Sequence, residues 1–201
     1  MTDPDAAGKT MDKAELRRMA LARRNALDDA RRAADSRLIA AAAAPILNSL
    51  SPEMISLYLP IGSECDAELL MGMADPSDIN FGLPVVVDDR TIVFHLYRKG
   101  DRLVAGGFGT RVPEVSAPLV YPDVIVIPMV AFDRRGARLG YGRGHYDRAI
   151  TRLRRAGLDP KLLGIAFSIQ EVARIPVEAH DVHLDWVVTE KETLDFRANK
   201  D

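Results

Sequence analysis

The sequence predicts an α/β fold, in which a mostly parallel β-sheet is covered by helices and carries an attached antiparallel hairpin. The segment "DVIVIPMVAF" is almost continuously apolar and rich in β-branched residues, which is typical of a strand buried on both faces. Strand-like and helix-like segments alternate along the chain, which favours parallel strands joined by crossover connections. The segments "INFGLPVVV" and "TIVFHLYR" flank the turn "DDR" and predict the hairpin.

Two helices are predicted before the first strand. "DKAELRRMALARRNAL" has Asp12 and Glu15 at capping-box spacing, so we expect a helix from about residue 13. "DDARRAADSRLIAAAA" predicts a second helix, capped by Asp28 or Asp29 and ending near Pro45, because alanine favours a helix and proline interrupts one. The segments "MISLYLP" and "DAELLMGMA" then predict a strand and a short helix.

The second half of the chain continues the alternation. "YDRAITRLRRAG" predicts a helix, "KLLGIAF" another buried strand and "DWVVTE" the last strand. Between the two strands, "SIQEVARI" predicts a short helix with Ser168 and Glu171 at capping-box spacing. The order of elements is that of an α/β sandwich.

Length and composition indicate one domain. We expect residues 1–11 to form a flexible tail and residues 12–201 a single α/β domain. The single cysteine, Cys65, excludes an internal disulfide and fits a reducing compartment. The amino terminus lacks the apolar run of a signal peptide, and no apolar stretch approaches the roughly twenty residues that span a membrane. We therefore expect a cytoplasmic protein without a membrane partner and, by default, a monomer.

The distribution of charge points to a small anionic ligand. The net charge of −2 argues against nucleic-acid binding. Between Asp133 and Arg155, eight arginines and two aspartates give +6, which leaves −8 for the rest of the chain. A local basic patch on a mildly acidic protein suits a small anion better than a polymer. Arg152, Arg154 and Arg155 are interpreted as a solvated helix face.

The segment "RLGYGRGHYDR", residues 138 to 148, lies between a predicted strand and a predicted helix, where open α/β sheets bind ligands. Gly140, Gly142 and Gly144 expose backbone N–H groups, and the helix adds its positive end. Arg138 and Arg143 add positive charge, so the loop predicts a polyphosphate site. Its spacing matches neither a Walker loop nor the dinucleotide fingerprint, and the alternative is a tight turn that needs positive φ.

The loop belongs to a longer pattern. "VAFDRRGARLGYGRGHYDR", residues 130 to 148, resembles the signature F-D-x-x-G-x-R-L-G-x-G-x-G-x-Y-D of the 5-formyltetrahydrofolate cyclo-ligase family, also called 5,10-methenyltetrahydrofolate synthetases. The resemblance extends over nearly the whole chain, and it includes Lys13, Arg17, Glu64, Pro176, His180, Asp181, Asp185 and Thr189. Two positions depart from the family pattern: His145, where an aromatic residue is usual, and the pair Val112–Pro113.

The resemblance implies a three-layer α/β sandwich like that of ribose-5-phosphate isomerase and CoA transferases. It also implies a reaction, the ATP-dependent closure of 5-formyltetrahydrofolate, with or without a polyglutamate tail, to 5,10-methenyltetrahydrofolate with release of ADP and phosphate. That chemistry needs two aligned substrates and charge stabilisation on a transferring phosphoryl group. We therefore look for cations, backbone donors and a magnesium site rather than a nucleophile.

The resemblance assigns roles to individual residues. Arg138 and Arg143 are expected to be the catalytic cations, and Asp147 and Asp181 to hold magnesium. Leu59, Glu64, Tyr141 and His145 are expected to contact the folate. The residues expected to bind ATP are Lys13, Arg17, Arg138, Leu139, Gly140, Tyr141, Gly142, Arg143, Gly144, His145 and Tyr146.

Structural readings remain open beside these roles. Asp147 could serve only the helix dipole, and Glu64 could be a surface carboxylate. Arg24 is interpreted as part of a solvated basic face. Cys65 and His95 are interpreted as packing residues, and His180 with His183 lacks an obvious third ligand for zinc.

Other functions also remain open at this stage. The chain could be a non-catalytic module that binds folate or nucleotide, or an ATP-dependent enzyme for another formylated amine. His145 and the Val112–Pro113 segment motivate both alternatives.

Overall fold

The computed structural model describes residues 11–73 and 79–199. Nearly all of the predicted tail lies outside these residues. The helices are α1 (Lys13–Asn25), α2 (Asp29–Leu50) and α3 (His145–Arg155). The strands are β1 (Met54–Ser56), β2 (Asn80–Val86), β3 (Ile92–Tyr97), β4 (Leu103–Ala105), β5 (Arg111–Pro113), β6 (Leu119–Val120), β7 (Val124–Ile127), β8 (Ala131–Phe132), β9 (Arg138–Leu139), β10 (Lys161–Ile165), β11 (Trp186–Val188) and β12 (Thr193–Asp195).

Eight of these strands form one sheet in the order β12-β11-β10-β7-β1-β2-β3-β6. The five strands from β11 to β2 pair in parallel, and the outer strands β12, β3 and β6 pair antiparallel. The predicted hairpin is confirmed as β2–β3, joined to the parallel part through β2. Two smaller hairpins, β4–β5 and β8–β9, lie outside this sheet. The predicted mostly parallel α/β fold is therefore confirmed.

The side chains of the central strand β7 show why the sheet lies between two helical layers. Val124 and Val126 pack into one apolar cluster with residues of α2, whereas Ile125 and Ile127 pack into another with residues of α3. Successive side chains of a strand point to opposite faces, so a strand between two helical layers must be apolar throughout. All four side chains are buried, and burial of each stabilises the fold by about 1.5–3 kcal/mol.

The first helix begins where capping predicts. The Asp12 side chain accepts a hydrogen bond from the backbone N–H of Glu15 at 2.8 Å. Leu16 and Ala20 of α1 are buried in a third apolar cluster with residues of the β8–β9 hairpin. The charged face of α1 is thereby turned towards the end of the sheet where β1 and β7 finish.

The second helix is longer than predicted. It continues through Pro45 to Leu50 and ends at Ser51, which has a positive φ of 45°. Proline removes one helical hydrogen bond, but Ala43 and Leu47 on either side of it are fully buried against the sheet. Burial of this apolar face outweighs the lost bond, so the prediction of a helix end near Pro45 is wrong.

The predicted helix in "SIQEVARI" is a single 3-10 turn, Ser168–Gln170. Its cap differs from the prediction, because the Gln170 side chain accepts from the backbone N–H of Phe167 at 2.8 Å, and the backbone N–H of Ser168 donates to Glu190 at 2.8 Å. Glu171 instead pairs with Arg134 at 2.7 Å. The sequence reading also missed β12, which follows the predicted last strand.

The apolar run "DVIVIPMVAF" is two elements rather than one strand. β7 ends before Pro128, and β8 then pairs with β9, so the glycine loop is entered from a hairpin. Asp133, at the hairpin turn, is fully buried. Its carboxylate accepts hydrogen bonds from the backbone N–H groups of Arg135 at 2.9 Å, Ala137 at 3.2 Å and Ile175 at 2.9 Å. This carboxylate therefore fixes the hairpin that carries the loop.

Candidate active site

A pocket of about 680 Å³ opens beyond the carboxyl ends of β1 and β7. Ligands of open α/β sheets bind at this position because helix N-termini and strand-end loops converge there. The pocket is lined by all of the residues that the sequence assigned to a site: Lys13, Arg17, Leu59, Glu64, Arg138, Leu139, Gly140, Tyr141, Gly142, Arg143, Gly144, His145, Tyr146, Asp147 and Asp181.

Two glycines of the loop adopt conformations that disfavour other residues. Gly142 has φ of +92° and Gly144, the N-cap of α3, has φ of +63°. A Cβ on Gly142 would lie 3.4 Å from the Arg17 guanidinium, whereas one on Gly140 would meet nothing within 4 Å. Gly140 has an ordinary φ, and its carbonyl accepts from Arg17 Nε at 2.8 Å. The loop thus packs against a cation of α1 and leaves open space over Gly140.

Lys13 and Arg17 lie one helical turn apart on the face of α1 that borders the pocket. Lys13 Nζ donates to Asp181 Oδ2 at 2.8 Å and to Glu178 Oε1 at 2.9 Å. Burial alone would lower the pKa of Lys13, but these two carboxylates outweigh it and raise that pKa. For Asp181, burial acts to raise the pKa, and the bond from Lys13 lowers it overall. The ionised form of both groups is therefore favoured.

Arg138 is the most buried cation of the pocket, with 6% of its side chain exposed. It donates to Asp147 Oδ1 at 2.7 Å and to the carbonyl of Val182. Burial lowers the pKa of Arg138 despite the opposing effect of Asp147. The same Asp147 oxygen accepts the Val182 backbone N–H at 3.1 Å. Asp147 therefore joins the start of α3 to the segment that carries Asp181.

The two predicted metal ligands, Asp147 and Asp181, lie on the same side of the pocket and are joined through Val182. Within residues 11–73 and 79–199, no three His, Cys, Asp or Glu side chains are grouped as a metal cage would be. Magnesium commonly takes one or two protein carboxylates and completes its shell with phosphate oxygens and water. The donor set present fits that mode of binding.

The opposite side of the pocket is mainly apolar and carries one buried carboxylate. Glu64 is 8% exposed, and its two oxygens accept from the Ile61 N–H and the Tyr141 hydroxyl, both at 2.9 Å. Burial raises the pKa of Glu64, and these two hydrogen bonds partly oppose the rise. Leu59 packs beside it against the core cluster. The reading of Glu64 as an ordinary surface carboxylate is wrong.

The apolar wall includes residues that the sequence reading missed. Leu83, Pro84, Val86 and Ile92 of the hairpin line the pocket, as does Tyr58. Ser56, the last residue of β1, pairs with Gly82, so β2 runs on past the end of β1 and its later residues border the pocket. The segment "INFGLPVVV" is longer than "MISLYLP", and this difference in length could have indicated that the later residues of β2 extend beyond β1.

His145, where the sequence departs from the family pattern, is the first residue of α3. Its Nε2 lies 3.0 Å from the carbonyl oxygen of Asp89 in the β2–β3 turn. The second departure, Val112–Pro113, lies in β5 directly after Thr110 and Arg111, which line the pocket. Both departures therefore concern the rim of the pocket beside the hairpins.

Arg24 contradicts its interpretation as a solvated residue. It is 2% exposed, and it donates to Ser63 Oγ at 2.9 Å, to the Met129 carbonyl at 3.3 Å and to the Tyr141 hydroxyl at 2.8 Å. Arg24 follows Arg17 by seven residues, about two helical turns, which puts both on one face of α1. This spacing was a usable signal, but it was concealed by two neighbouring arginines, Arg18, which is exposed, and Arg23, which is half-buried.

The remaining interpretations concern packing and solvation. Arg152, Arg154 and Arg155 are exposed, as predicted. His95 is buried with Nδ1 2.6 Å from the Ala117 carbonyl, so its structural reading is confirmed. Cys65 is buried, and burial raises its pKa to about 12, which agrees with a packing residue.

The fold and pocket together define an α/β protein whose pocket has a cationic glycine loop on one side and a mainly apolar wall on the other. Comparison with known proteins gives the family. A model of the 5-formyltetrahydrofolate cyclo-ligase family matches residues 9–190, and the chain belongs to this family. The resemblance of the loop signature is thereby confirmed.

Individual relatives agree with this assignment. The 5-formyltetrahydrofolate cyclo-ligase of Mycolicibacterium smegmatis is 32% identical over 154 residues, 72% of this chain and 77% of that protein. The structure of the Aquifex aeolicus 5,10-methenyltetrahydrofolate synthetase is 31% identical with a TM-score of 0.79, over 93% of this chain and 94% of that one. The Mycoplasma pneumoniae synthetase structure is 26% identical with a TM-score of 0.72, over 90% and 99% respectively.

In the part of the chain that the structure describes, no helix combines the length and apolar character needed to cross a bilayer.

Proposed function

We propose that the chain catalyses the ATP-dependent cyclisation of 5-formyltetrahydrofolate to 5,10-methenyltetrahydrofolate, with release of ADP and phosphate. The observation that carries this proposal is the division of one pocket into two unlike sides. One side has the glycine loop with Lys13, Arg17 and Arg138, and the other has an apolar wall with Glu64. A polyphosphate and a flat heterocycle need these two surfaces within reach of each other.

The reaction requires little covalent participation by the protein. The formyl oxygen takes the γ-phosphoryl group of ATP, and ADP leaves. The folate nitrogen at position ten then attacks the activated carbon and loses its proton, and the carbon–oxygen bond breaks to release phosphate. The protein's task is to align the formyl oxygen with the γ-phosphorus and to stabilise the negative charge that spreads over the phosphoryl oxygens.

The cations of the loop side are suited to that task. Arg138 and Arg143 are proposed as catalytic cations on the transferring phosphoryl group, with Lys13 and Arg17 as clamps on the other phosphates. The loop from Leu139 to Tyr146 would add backbone N–H groups and the positive end of α3. Arg138 is buried, which strengthens its electrostatic effect because water screens it less.

Asp147 and Asp181 would hold a magnesium ion against the phosphates. When bound, the ion would supply positive charge that offsets the charge of the triphosphate. Lys13 and Arg138 pair with these two carboxylates in the structure, so the cations are already beside the place where phosphate and metal would meet. Binding of magnesium and ATP would then rearrange ion pairs rather than bring isolated charges into the pocket.

Glu64 on the opposite side would recognise the pterin. Each of its oxygens accepts one hydrogen bond from the protein and has acceptor capacity left for the amino and ring N–H groups of the heterocycle. Leu59, Tyr141 and His145 would pack around the ring system. We further propose that the chain works in the cytoplasm as a monomeric single domain, without a nucleic-acid or membrane partner, and that it accepts folates with a polyglutamate tail.

The test is a direct assay of the purified protein with ATP, magnesium and 5-formyltetrahydrofolate. Methenyl absorbance and ADP release should rise together in a one-to-one ratio. Omission of ATP should abolish both signals, and omission of magnesium should reduce both. Absence of methenyl product from folded protein would contradict the proposed function, and ADP release without methenyl product would point to another formylated substrate.

A further inference from the structure

Arg24 is a buried cation that does not line the pocket but contacts a residue that does. In the described parts of the chain, no carboxylate lies within ion-pair distance of its guanidinium group. Its three partners, Ser63, Met129 and Tyr141, supply only neutral oxygens. A buried charge without an ionic partner is costly, so a compensating negative charge close by is favoured.

The nearest compensation is reached through the Tyr141 hydroxyl. This hydroxyl accepts from Arg24 Nη2 at 2.8 Å and donates to Glu64 Oε1 at 2.9 Å. The Arg24 guanidinium also lies 5.9 Å from the centre of the Tyr141 ring. Arg24, Tyr141 and Glu64 therefore form a chain of hydrogen bonds in which each bond polarises the next.

The direction of these hydrogen bonds matters for ligand recognition. Because Arg24 can only donate, the Tyr141 hydroxyl accepts from it and turns its own proton towards Glu64. An ionised carboxylate is the form that receives this proton best and that still accepts from a ligand. Burial raises the pKa of Glu64, and the positive charge of Arg24 partly opposes that rise.

We propose that Arg24 is a positioning residue for folate binding, which acts through the Tyr141 hydroxyl to orient the Glu64 carboxylate as an acceptor for the pterin. This inference rests on the proposed function. It also joins the two sides of the pocket, because Tyr141 stands between Gly140 and Gly142 of the phosphate loop. The phosphate loop and the Glu64 carboxylate are therefore held in a fixed relative position by Arg24, a residue of α1 that does not line the pocket.

Arg24 also donates to Ser63, in the segment after β1, and to the carbonyl of Met129, between β7 and β8. A structural role must therefore be separated from a positioning role. The Arg24→Gln substitution removes the charge and both functions. Tyr141→Phe removes only the hydroxyl and keeps the ring, at a position that is half exposed. Arg18→Gln is the matched control, because Arg18 is an exposed arginine on the same helix.

The experiment compares steady-state kinetics and thermal unfolding of the full-length variants. For Arg24→Gln and Tyr141→Phe, we expect the KM for 5-formyltetrahydrofolate to rise roughly tenfold, the usual result of losing a hydrogen bond to a charged group. The KM for ATP should change by less than about twofold, because the phosphate contacts remain. The double variant should be little worse than either single one, since both break the same chain.

A pH profile adds a readout that a purely structural role would not move. The titratable groups that interact with Glu64 are Arg24, Tyr58, Cys65, Tyr141 and Tyr146. Burial raises the pKa of the three tyrosines and the cysteine, so Glu64 alone among them titrates in the acid range. The acid limb of kcat/KM for the folate should move to higher pH in Arg24→Gln and stay in place in Arg18→Gln.

The outcomes discriminate between the inference and the proposed function. If wild-type protein does not form the methenyl product, the proposed function fails and the inference with it. If wild-type protein is active, equal losses for ATP and folate in Arg24→Gln overturn the inference alone. Multiplicative effects in the double variant, or a Tyr141→Phe variant with normal folate KM, overturn it as well, even where Arg24→Gln does not fold.

Discussion

The two sides of the pocket handle charge in opposite ways. On the phosphate side, cations and carboxylates pair directly, as in Lys13 with Asp181 and Arg138 with Asp147. On the pterin side, the carboxylate of Glu64 and the cation Arg24 are both buried and are separated by a neutral hydroxyl. Direct pairs can exchange partners when a polyanion and a metal arrive, whereas a hydroxyl-mediated pair leaves carboxylate lone pairs available to a neutral ligand. The direct ion pairs suit phosphoryl transfer, and the hydroxyl-mediated pair suits recognition of a neutral heterocycle.

The largest expected effect is on the phosphate side, at Arg138. We expect Arg138→Ala to lower kcat by about 10²- to 10³-fold, as does the loss of one preorganised donor to a transition-state charge. Folate binding, measured without ATP, should change little. Arg154→Ala is the matched control, because Arg154 is an exposed arginine of α3 outside this pocket. A normal kcat in folded Arg138→Ala would mean that the buried ion pair with Asp147 is structural.

The clamp residues Lys13 and Arg17 should give a smaller effect on the same side. Alanine at either position should lower kcat/KM for ATP by roughly 10- to 100-fold, since a charge-assisted phosphate contact contributes about 1.5–3 kcal/mol. The KM for the folate should stay close to that of wild type. If thermal unfolding shows an equal loss of stability while ATP kinetics are unchanged, these residues serve the helix instead.

On the pterin side, Glu64→Gln should raise the KM for the folate roughly tenfold and leave the KM for ATP unchanged. The wild-type acid limb, which reports a pKa above the usual 4.5 because the carboxyl is buried, should disappear in this variant. The protonated form of Glu64, which is expected to be inactive in binding, is the form that favours the folded state. A raised pKa means that the carboxyl contributes stability below pH 4.5, and that this contribution is lost as pH rises through the pKa of the folded state. Urea unfolding between pH 4 and pH 8 should show that loss in wild type and not in Glu64→Gln.

The smallest effect is expected for Asp147→Asn, which nearly preserves shape and removes one negative charge. The magnesium concentration for half-maximal turnover should rise roughly fivefold, equivalent to about 1 kcal/mol. Folate binding without metal should be unchanged, because the proposed pterin contacts are with Leu59 and Glu64. An unchanged magnesium dependence would assign Asp147 to the helix end and to its pair with Arg138, and would remove it from the metal site.

The glycine loop of the proposed phosphate side could be predicted from sequence because it is contiguous, whereas Lys13, Arg17 and Asp181 lie far from it in the chain. Residues 138 to 147 run from β9 through the glycine turn into α3, and glycines next to arginines before a helix have a direct physical meaning. The pterin side is assembled from α1, the segment after β1 and the β2–β3 hairpin, which are distant in sequence. No local sequence pattern indicates that Val86 and Ile92 line the same pocket as Leu59.

Arg24 was mispredicted for a related reason. Its burial depends on Ser63 and Met129, which are 39 and 105 residues away from it in the sequence. Pro45 gives the same lesson in the fold, because local helix propensity predicted an end there and tertiary burial of Leu47 overrode it. Local rules located the cap of α1 and the turn of the β2–β3 hairpin, and they failed where long-range packing determined the outcome.

The ion pair between Lys13 and Asp181 has a consequence for biosynthesis. Its partners are 168 residues apart, so the pocket cannot be complete before the segment from Lys13 to Asp181 has been synthesised. Contacts of such separation form late, because the intervening segment must first be ordered. A chain that stops short of Asp181 therefore lacks part of the proposed nucleotide site. Conversely, a nucleotide bound across this pair would hold two segments that are distant in sequence together and stabilise the domain against unfolding.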